Sequence, residues 1–153
     1  MRTRTIGWTL ALCFVAVAVC FAGTHMGTWK LNEAKSKLTA GTTRNHTVIY
    51  EAAGDKTKIT VEGTDGAGKA THSEWTGKFD GTDYPVTGDA NSDARTYKEV
   101  DAQTLEFSLK KDGKITATGR IVLSADGKSR TVTLSGTDAK GTKFSNSSVY
   151  DKQ

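Results

Sequence analysis

Short segments in which apolar and polar residues alternate follow one another along the chain, and a glycine-containing turn separates most of them. Such turns contain Gly54, Gly66, Gly81, Gly113, Gly127 and Gly141, each beside or near an aspartate. An aspartate-glycine pair between two alternating segments is a strong hairpin signal, because glycine accepts the positive φ that tight turns need. The sequence therefore predicts a meander of antiparallel strands.

The first 22 residues differ from the rest of the chain. Arg2 and Arg4 precede an apolar run over residues 6–19, and small residues follow up to Ala22. This layout is typical of a secretory signal peptide. We therefore expect cleavage after Ala22 and a secreted or periplasmic protein that consists of residues 23–153.

Two alternatives to this cleavage stay open. Residues 6–23 are just long enough for a membrane anchor, and Cys20 is a candidate for lipid attachment. Cys13 and Cys20 are the two cysteines of the chain, so cleavage after Ala22 leaves no thiol. Disulfide bonds and thiolate catalysis are then excluded.

The chain has a formal net charge of +4 at pH 7, and loss of Arg2 and Arg4 lowers this charge to +2. A protein so nearly neutral has no electrostatic attraction for nucleic acid. Residues 23–153 suffice for one domain, which at this length buries about two thirds of the surface of its unfolded chain. We expect a domain that needs no disulfide, metal or cofactor and that does not insert into a membrane after cleavage.

We predict ten strands from the alternation and the turns. They cover residues 28–31, 46–53, 56–63, 70–79, 83–87, 94–100, 104–111, 114–124, 129–136 and 142–151. Residues 32–38, between the first and second strands, are predicted to form a short helical turn. Asn32 suits its N-cap, and Ala34 and Leu38 share one side.

The alternation gives the predicted sheet one apolar face. Thr57, Ile59 and Val61 share one side of their strand, while Lys58 and Thr60 share the other. A long apolar face is buried most simply when the sheet rolls up and closes, which also removes its edges. We therefore expect an all-β fold, a single antiparallel up-and-down barrel of about eight to ten strands, in preference to a two-sheet sandwich.

Two local features qualify this barrel. Pro85 has no N–H to donate, so its short strand is expected at a gap or an edge. The predicted inner face of the eighth strand carries Ile115, Ala117 and Gly119, of which the last two have almost no bulk. These small residues either leave room for a cavity or relieve crowding where a strand bends, and both interpretations stay open.

Large aromatic residues on three of the predicted strands share the inner face by alternation. They are Trp75, Tyr97 and Phe107. Ligand pockets are lined mainly by apolar and aromatic side chains. We therefore predict that these three residues contact a ligand, if the barrel holds one.

The segment that begins Gly27-Thr28-Trp29 resembles the first strand of the lipocalin and fatty-acid-binding-protein superfamily, the calycins, and residues 82–84 are similar to the second lipocalin motif. The resemblance implies a secreted bacterial barrel in which Gly27 and Trp29 close the floor. It also implies an arginine stacked on Trp29, for which Arg120 and Arg130 are the candidates. The segment after the first strand is too short for the pair of helices that covers fatty-acid-binding barrels.

Two polar patterns invite a chemical interpretation. Residues 89–93 place oxygen side chains at alternate positions, as calcium loops do, but Val100 stands where the bidentate glutamate belongs, so Asx turns are favoured. His72 and Glu74 share a strand face, and two such groups alone make neither a metal site nor a catalytic site. We expect an exposed polar pair there.

The sequence thus predicts no catalytic residues, no metal site and no enzyme. The expected function is the binding of a small apolar or amphipathic molecule by a lipocalin-like barrel. The alternative is an envelope structural or protein-interaction domain with a filled core and no ligand. Close packing of the interior favours the second function, and open apolar space favours the first.

Overall fold

The computed structural model describes residues 24–138 and 140–153, so the predicted signal peptide and its cleavage site lie outside the described residues. Ten strands make up the fold. They are β1 Gly27–Lys37, β2 Arg44–Ala53, β3 Lys56–Thr64, β4 Ala70–Gly77, β5 Asp80–Thr87, β6 Ala94–Asp101, β7 Thr104–Lys111, β8 Lys114–Leu123, β9 Ser129–Thr137 and β10 Lys143–Lys152. Over residues 24–138 and 140–153, no helix is long and apolar enough to cross a membrane.

Each strand pairs antiparallel with the next, and β1 also pairs with β10, which closes the sheet. Trp29 lies opposite Val48 in β2 and opposite Lys152 in β10, so the first strand is hydrogen-bonded on both sides. This closed, ten-stranded, up-and-down barrel confirms the predicted fold class.

The barrel has two ends, a base and a rim, which carry different turns. The base holds the start of β1 and the turns β2–β3, β4–β5, β6–β7 and β8–β9. The rim holds the turns β1–β2, β3–β4, β5–β6, β7–β8 and β9–β10. Antiparallel neighbours place alternate turns at opposite ends, so this division follows from the strand order alone.

The predicted helical turn over residues 32–38 is wrong, because β1 continues through this segment as a bulged strand. The pairing with β10 moves from Asn32 opposite Val149 to Lys37 opposite Ser147, so the intervening residues of β1 face a single residue of β10. Asn32 Oδ1 does accept a hydrogen bond from Lys35 N at 3.2 Å, as a helix cap would. The local capping contact therefore forms, but within a bulge.

Ser36 joins this bulge to the sheet. Its Oγ donates to the carbonyl oxygen of Asn32 at 2.7 Å and accepts a hydrogen bond from Val149 N at 2.9 Å. The serine side chain thus replaces a missing backbone partner of β10. Pairing with β10 outweighs a single helical turn, which is marginally stable on its own.

Pro85 lies beside the sparsest pairing in the barrel. The β4–β5 ladder consists of Glu74 opposite Thr87 and Trp75 opposite Val86. The base half of β5 pairs only with β6, as expected for a strand whose proline cannot donate a hydrogen bond.

The inner face follows the predicted alternation, with one exception. Ile59 and Leu105, for example, are fully or almost fully buried. Ile115, which was predicted to face inward with Ala117, is instead 59% exposed. Leu109 pairs with Ala117 while Lys110 pairs with Ile115, so Thr116 is an extra residue in β8. Such a bulge reverses the facing of the residues before it.

Candidate functional site

The structure brings the three predicted ligand residues together in the barrel interior. The ring centroids of Trp75 and Tyr97 lie 4.7 Å apart, and those of Tyr97 and Phe107 lie 5.6 Å apart. Phe79 and Tyr84 extend the cluster from the gap between β4 and β5, at 6.2 Å and 5.7 Å from Trp75. These distances are typical of packed aromatic pairs.

Two glycines accept these rings. A Cβ on Gly119 would lie 2.4 Å from Phe107 Cζ and 2.4 Å from the carbonyl oxygen of Thr133. A Cβ on Gly77 would lie 2.5 Å from ring atoms of Trp75 and of Tyr84. Of the two interpretations of the small residues, the structure therefore favours relief of crowding at the level of the aromatic cluster.

The inner face away from the aromatic cluster is filled differently. Four inward-facing apolar residues pack against the core yet remain only partly buried: Leu31, Leu109, Val132 and Leu134. Leu134 lies opposite Gly119, and Leu109 lies opposite Ala117, which in turn lies opposite Gly136. Large residues thus alternate with very small ones across β7, β8 and β9. A Cβ on Gly136 would lie 2.6 Å from Ala117 Cβ, so the small residues relieve crowding here as well, while the large apolar side chains keep part of their surface in contact with solvent.

A buried ion pair stands at the rim end of β6. Arg95 Nη2 donates to Asp89 Oδ2 at 2.6 Å, Ser92 Oγ donates to the same carboxylate, and Trp75 Nε1 donates to the carbonyl oxygen of Arg95 at 3.1 Å. Burial acts to raise the pKa of Asp89, but the charge of Arg95 and the hydrogen bonds from Ser92 and Arg95 leave this pKa below its usual range. The guanidinium and the carboxylate therefore neutralise each other.

The loop of residues 89–93 forms an Asx turn. Asp89 Oδ1 accepts a hydrogen bond from Asn91 N at 2.9 Å, which is the backbone bond that defines this turn. Within the described residues, no group of three or more histidine, cysteine, aspartate or glutamate side chains could hold a metal ion.

The β1–β2 turn is tied down across the rim. Asn146, an inward-facing and buried residue of β10, accepts a hydrogen bond from Thr39 N at 2.7 Å and donates one to Thr42 Oγ1 at 3.2 Å. This turn also touches the β3–β4 turn, since a Cβ on Gly66 would lie 1.9 Å from the carbonyl oxygen of Gly41. One side of the rim is therefore covered by two turns in direct contact.

At the base, Trp29 is fully buried, and its Nε1 donates to the carbonyl oxygen of His25 at 2.9 Å. The guanidinium carbon of Arg130 lies 4.6 Å from the centroid of the Trp29 ring, 4.6 Å from that of Tyr50 and 5.3 Å from that of Tyr150. Contacts of this length are favourable cation–π interactions. The structure thus places both residues of the predicted floor, Trp29 and its neighbour Gly27, at the base.

Of the two arginines considered for this stack, Arg130 occupies it. Arg120 points to the outer wall, where its Nη2 pairs with Glu106 Oε1. The alternation alone distinguishes the two arginines. Arg130 lies on the same, inward-facing side of its strand as Val132, whereas Arg120 lies on the side opposite to Gly119 and therefore faces outward.

His72 and Glu74 lie on the outer wall, as expected for an exposed polar pair. His72 Nδ1 is 2.6 Å from Glu62 Oε1, and this hydrogen bond raises the pKa of the histidine. Glu74 accepts from Lys58 Nζ at 2.8 Å, which lowers the pKa of its carboxyl. Each group is satisfied by a charged neighbour.

Two surface depressions lie outside the barrel interior. One of about 490 Å³ crosses the outer wall of β6 to β9, where Lys98, Glu106 and Arg120 contribute its charged side chains. Another, of about 210 Å³, lies between the β1–β2 and β3–β4 turns and includes Arg44 and Asp65. Both are open to solvent, and the smaller one is lined mainly by polar atoms.

Sequence reasoning missed the Asp89–Arg95 pair and the burial of His25. Alternation does place Arg95 on the same face as Tyr97, but its partner comes from a turn, and no periodic signal reaches into a turn. His25 precedes the first strand and carries no pattern at all.

Comparisons with known proteins give similarity at the level of structure. No family model matches the chain, and no curated protein matches it. One similar solved structure is a redesigned β-barrel, mFAP1, bound to DFHBI; it is 15% identical with a TM-score of 0.45, over 86% of this chain and 97% of that chain. Another is EF1p2_mFAP2b bound to DFHBI, 13% identical with a TM-score of 0.49, over 86% of this chain and 96% of that chain.

Proposed function

We propose that this barrel binds a small, largely apolar molecule at its rim. The observation that carries the proposal is the partial exposure of the inward-facing side chains Leu109 and Leu134 near the rim, with Leu31 and Val132 partly exposed further down the barrel. A folded protein gains stability by covering apolar surface, at about 25 cal/mol per Å². Inward-facing apolar surface that the chain leaves uncovered is therefore a favourable place for an apolar ligand.

The aromatic cluster below this surface has a supporting role in the proposal. Phe107 shares its row with Gly119 and Leu134, and this row is the next inward-facing one toward the base from the row of Leu109. The predicted contacts of Trp75 and Tyr97 with a ligand then depend on how deeply the ligand enters. Phe107 is the first of the three that it would meet.

A ligand screen by thermal shift and tryptophan emission tests the proposal. The panel contains long-chain alcohols, fatty acids, quinones and other envelope lipids, and a ligand that binds only the folded state raises Tm by mass action. At an excess of about 100 Kd the stabilisation is about 2.7 kcal/mol. A panel without any saturable response would contradict the proposal.

Leu109→Asp and Ile115→Asp form a matched pair for any ligand found. Both residues lie near the rim on neighbouring strands, but Leu109 faces inward and Ile115 is exposed on the outer wall. A carboxylate at Leu109 should abolish apolar binding, because an unpaired charge is strongly disfavoured in an apolar site, while Ile115→Asp should leave Kd unchanged. Equal Kd values for both variants would place the ligand elsewhere.

The second candidate function is an envelope structural or interaction domain with a filled core. It is favoured by the aromatic cluster, in which neighbouring rings occupy the space that side chains at Gly77 and Gly119 would need. Absence of any small-molecule response, together with a rise in Tm on binding of a partner protein, is expected for this function. An enzymatic role is not part of either proposal.

Export is the remaining part of the proposed function. It is supported by the signal-peptide layout of residues 1–22. The mature protein is expected to begin at Gly23, and N-terminal sequencing with intact-mass measurement tests this start. A lipid-modified Cys20 would contradict it.

A further inference from the structure

Four buried nitrogen atoms at the base have no hydrogen-bond partner. They are Nδ1 and Nε2 of His25 and Nε and Nη1 of Arg130. Within residues 24–138 and 140–153, these four are the buried side-chain nitrogen and oxygen atoms that have no hydrogen-bond partner. Both residues are only 2% exposed. Buried polar groups are nearly always hydrogen-bonded, so four unpartnered atoms at one end of the barrel call for an explanation.

The buried arginine at the base carries a positive charge without an ion-pair partner. Arg130 is enclosed by the rings of Trp29, Tyr50 and Tyr150, and among the described residues it forms no ion pair. Lys152 Nζ lies 5.3 Å from the centroid of the Trp29 ring. A buried guanidinium is ordinarily paired with an anion, because desolvation of an unpaired charge is costly.

The electrostatics at His25 agree with this unpaired cation. Burial first, and then the charges of Arg130 and Lys152, lower the pKa of His25 to about 4, while Asp101 acts in the opposite direction. The imidazole is therefore neutral at pH 7 and offers one N–H donor beside the guanidinium donors. Aromatic faces attract the cation, but their hydrogen-bonding capacity does not satisfy its N–H groups.

We propose that the base of the barrel binds a small inorganic anion between His25 and Arg130. Nε and Nη1 of the arginine and the protonated nitrogen of the imidazole would donate to it, and hydrogen bonds of this charge-assisted kind are short and strong. The positive charge of Lys152 adds to the attraction without direct contact. This site lies at the opposite end of the barrel from the proposed ligand surface and does not depend on it.

Thermal unfolding in sodium chloride and in sodium sulfate, at constant ionic strength, tests the anion site. The wild-type Tm should rise saturably, by about 5 °C at a concentration of about 10 Kd, since the anion binds only the folded state. Arg130→Met should remove this saturable rise, because the thioether has no N–H donor. Arg120→Met is the matched control: it removes an exposed arginine of the outer wall and should leave the rise intact.

Structure determination gives an independent readout. Crystals of the wild-type protein grown in sodium bromide should show an anomalous bromide peak within hydrogen-bond distance of Arg130, and crystals of His25→Leu should show a weaker one. This arm keeps the proposal testable if Arg130→Met does not fold. Water alone at the four nitrogen atoms, or an equal Tm response of wild type and Arg130→Met, would overturn the proposal.

Discussion

The base and the rim of this barrel are built from the same alternating pattern, yet their interiors differ. At the base, Trp29 and Leu105 are completely buried, and Arg130 fills the space between aromatic rings. At the rim, the inward-facing residues include Leu109 and Leu134, which stay partly exposed. Alternation determines only which face of the sheet a residue occupies. How completely the interior is filled depends in addition on the volumes of the side chains that meet there. The base therefore contributes stability, and the rim retains the apolar surface on which the proposed ligand would bind.

Among substitutions that test this difference between base and rim, replacement of Trp29 by alanine should cause the largest loss of stability. The change removes a fully buried ring and its stacking with Arg130, so we expect a loss of about 3 to 5 kcal/mol in the free energy of unfolding. Denaturant midpoints at equal m-values measure it. A loss below about 0.5 kcal/mol, the range of surface substitutions, would refute the role of Trp29 in closing the base.

Leu105→Ala and Leu134→Ala compare the two ends directly. Leu105 is completely buried, so its truncation should cost about 3 to 5 kcal/mol, including the cavity left behind. Leu134 is partly exposed near the rim, so its truncation should cost only about 1 to 2 kcal/mol. Equal losses in urea unfolding would mean that the rim is packed as tightly as the base.

Acidification should destabilise the base through His25. Its pKa is lowered from 6.5 to about 4 in the folded state, so the stability it contributes is complete above pH 6.5 and is lost as the pH falls toward 4. At about 1.4 kcal/mol per pKa unit, the loss amounts to about 3 kcal/mol. The free energy of unfolding of wild type minus that of His25→Leu, measured at low salt from pH 7 to pH 4, isolates this contribution.

His72→Gln is the control for the acid effect. His72 is exposed, and its hydrogen bond to Glu62 raises rather than lowers its pKa, so its contribution to stability is present at low pH and fades above its folded pKa. The variant should keep the acid loss seen in wild type. A smaller acid loss in the variant would contradict both this sign for His72 and the assignment of the effect to His25.

Much of the fold could be read from the chain because turns and alternation are local properties. The glycine turns set the strand ends closely, and the predicted strand over residues 104–111 coincides with β7. Bulges were the main obstacle, since an extra residue is invisible to a period of two. Thr116 reversed the facing of Ile115 in this way, and the bulge after Asn32 imitated a helix cap.

The candidate sites were less accessible to sequence reasoning. Trp75, Tyr97 and Phe107 were correctly grouped by their shared face, but whether rings fill a barrel or only line it depends on volumes summed over many strands. The unpartnered atoms of His25 and Arg130 arise where residues far apart in the chain meet. No local pattern encodes such a meeting.

Closure of the ring through β1 and β10 has a consequence for how this chain folds. Lys152 lies opposite Trp29 although the whole of the remaining barrel separates them in sequence, and contacts of such long range form late because of the entropy of closing the intervening loop. Until β1 and β10 pair, each of them exposes unpaired backbone groups along one edge, and the edge strand of another copy can bind there. The rate of the final closure relative to encounters between copies therefore governs the yield of native protein.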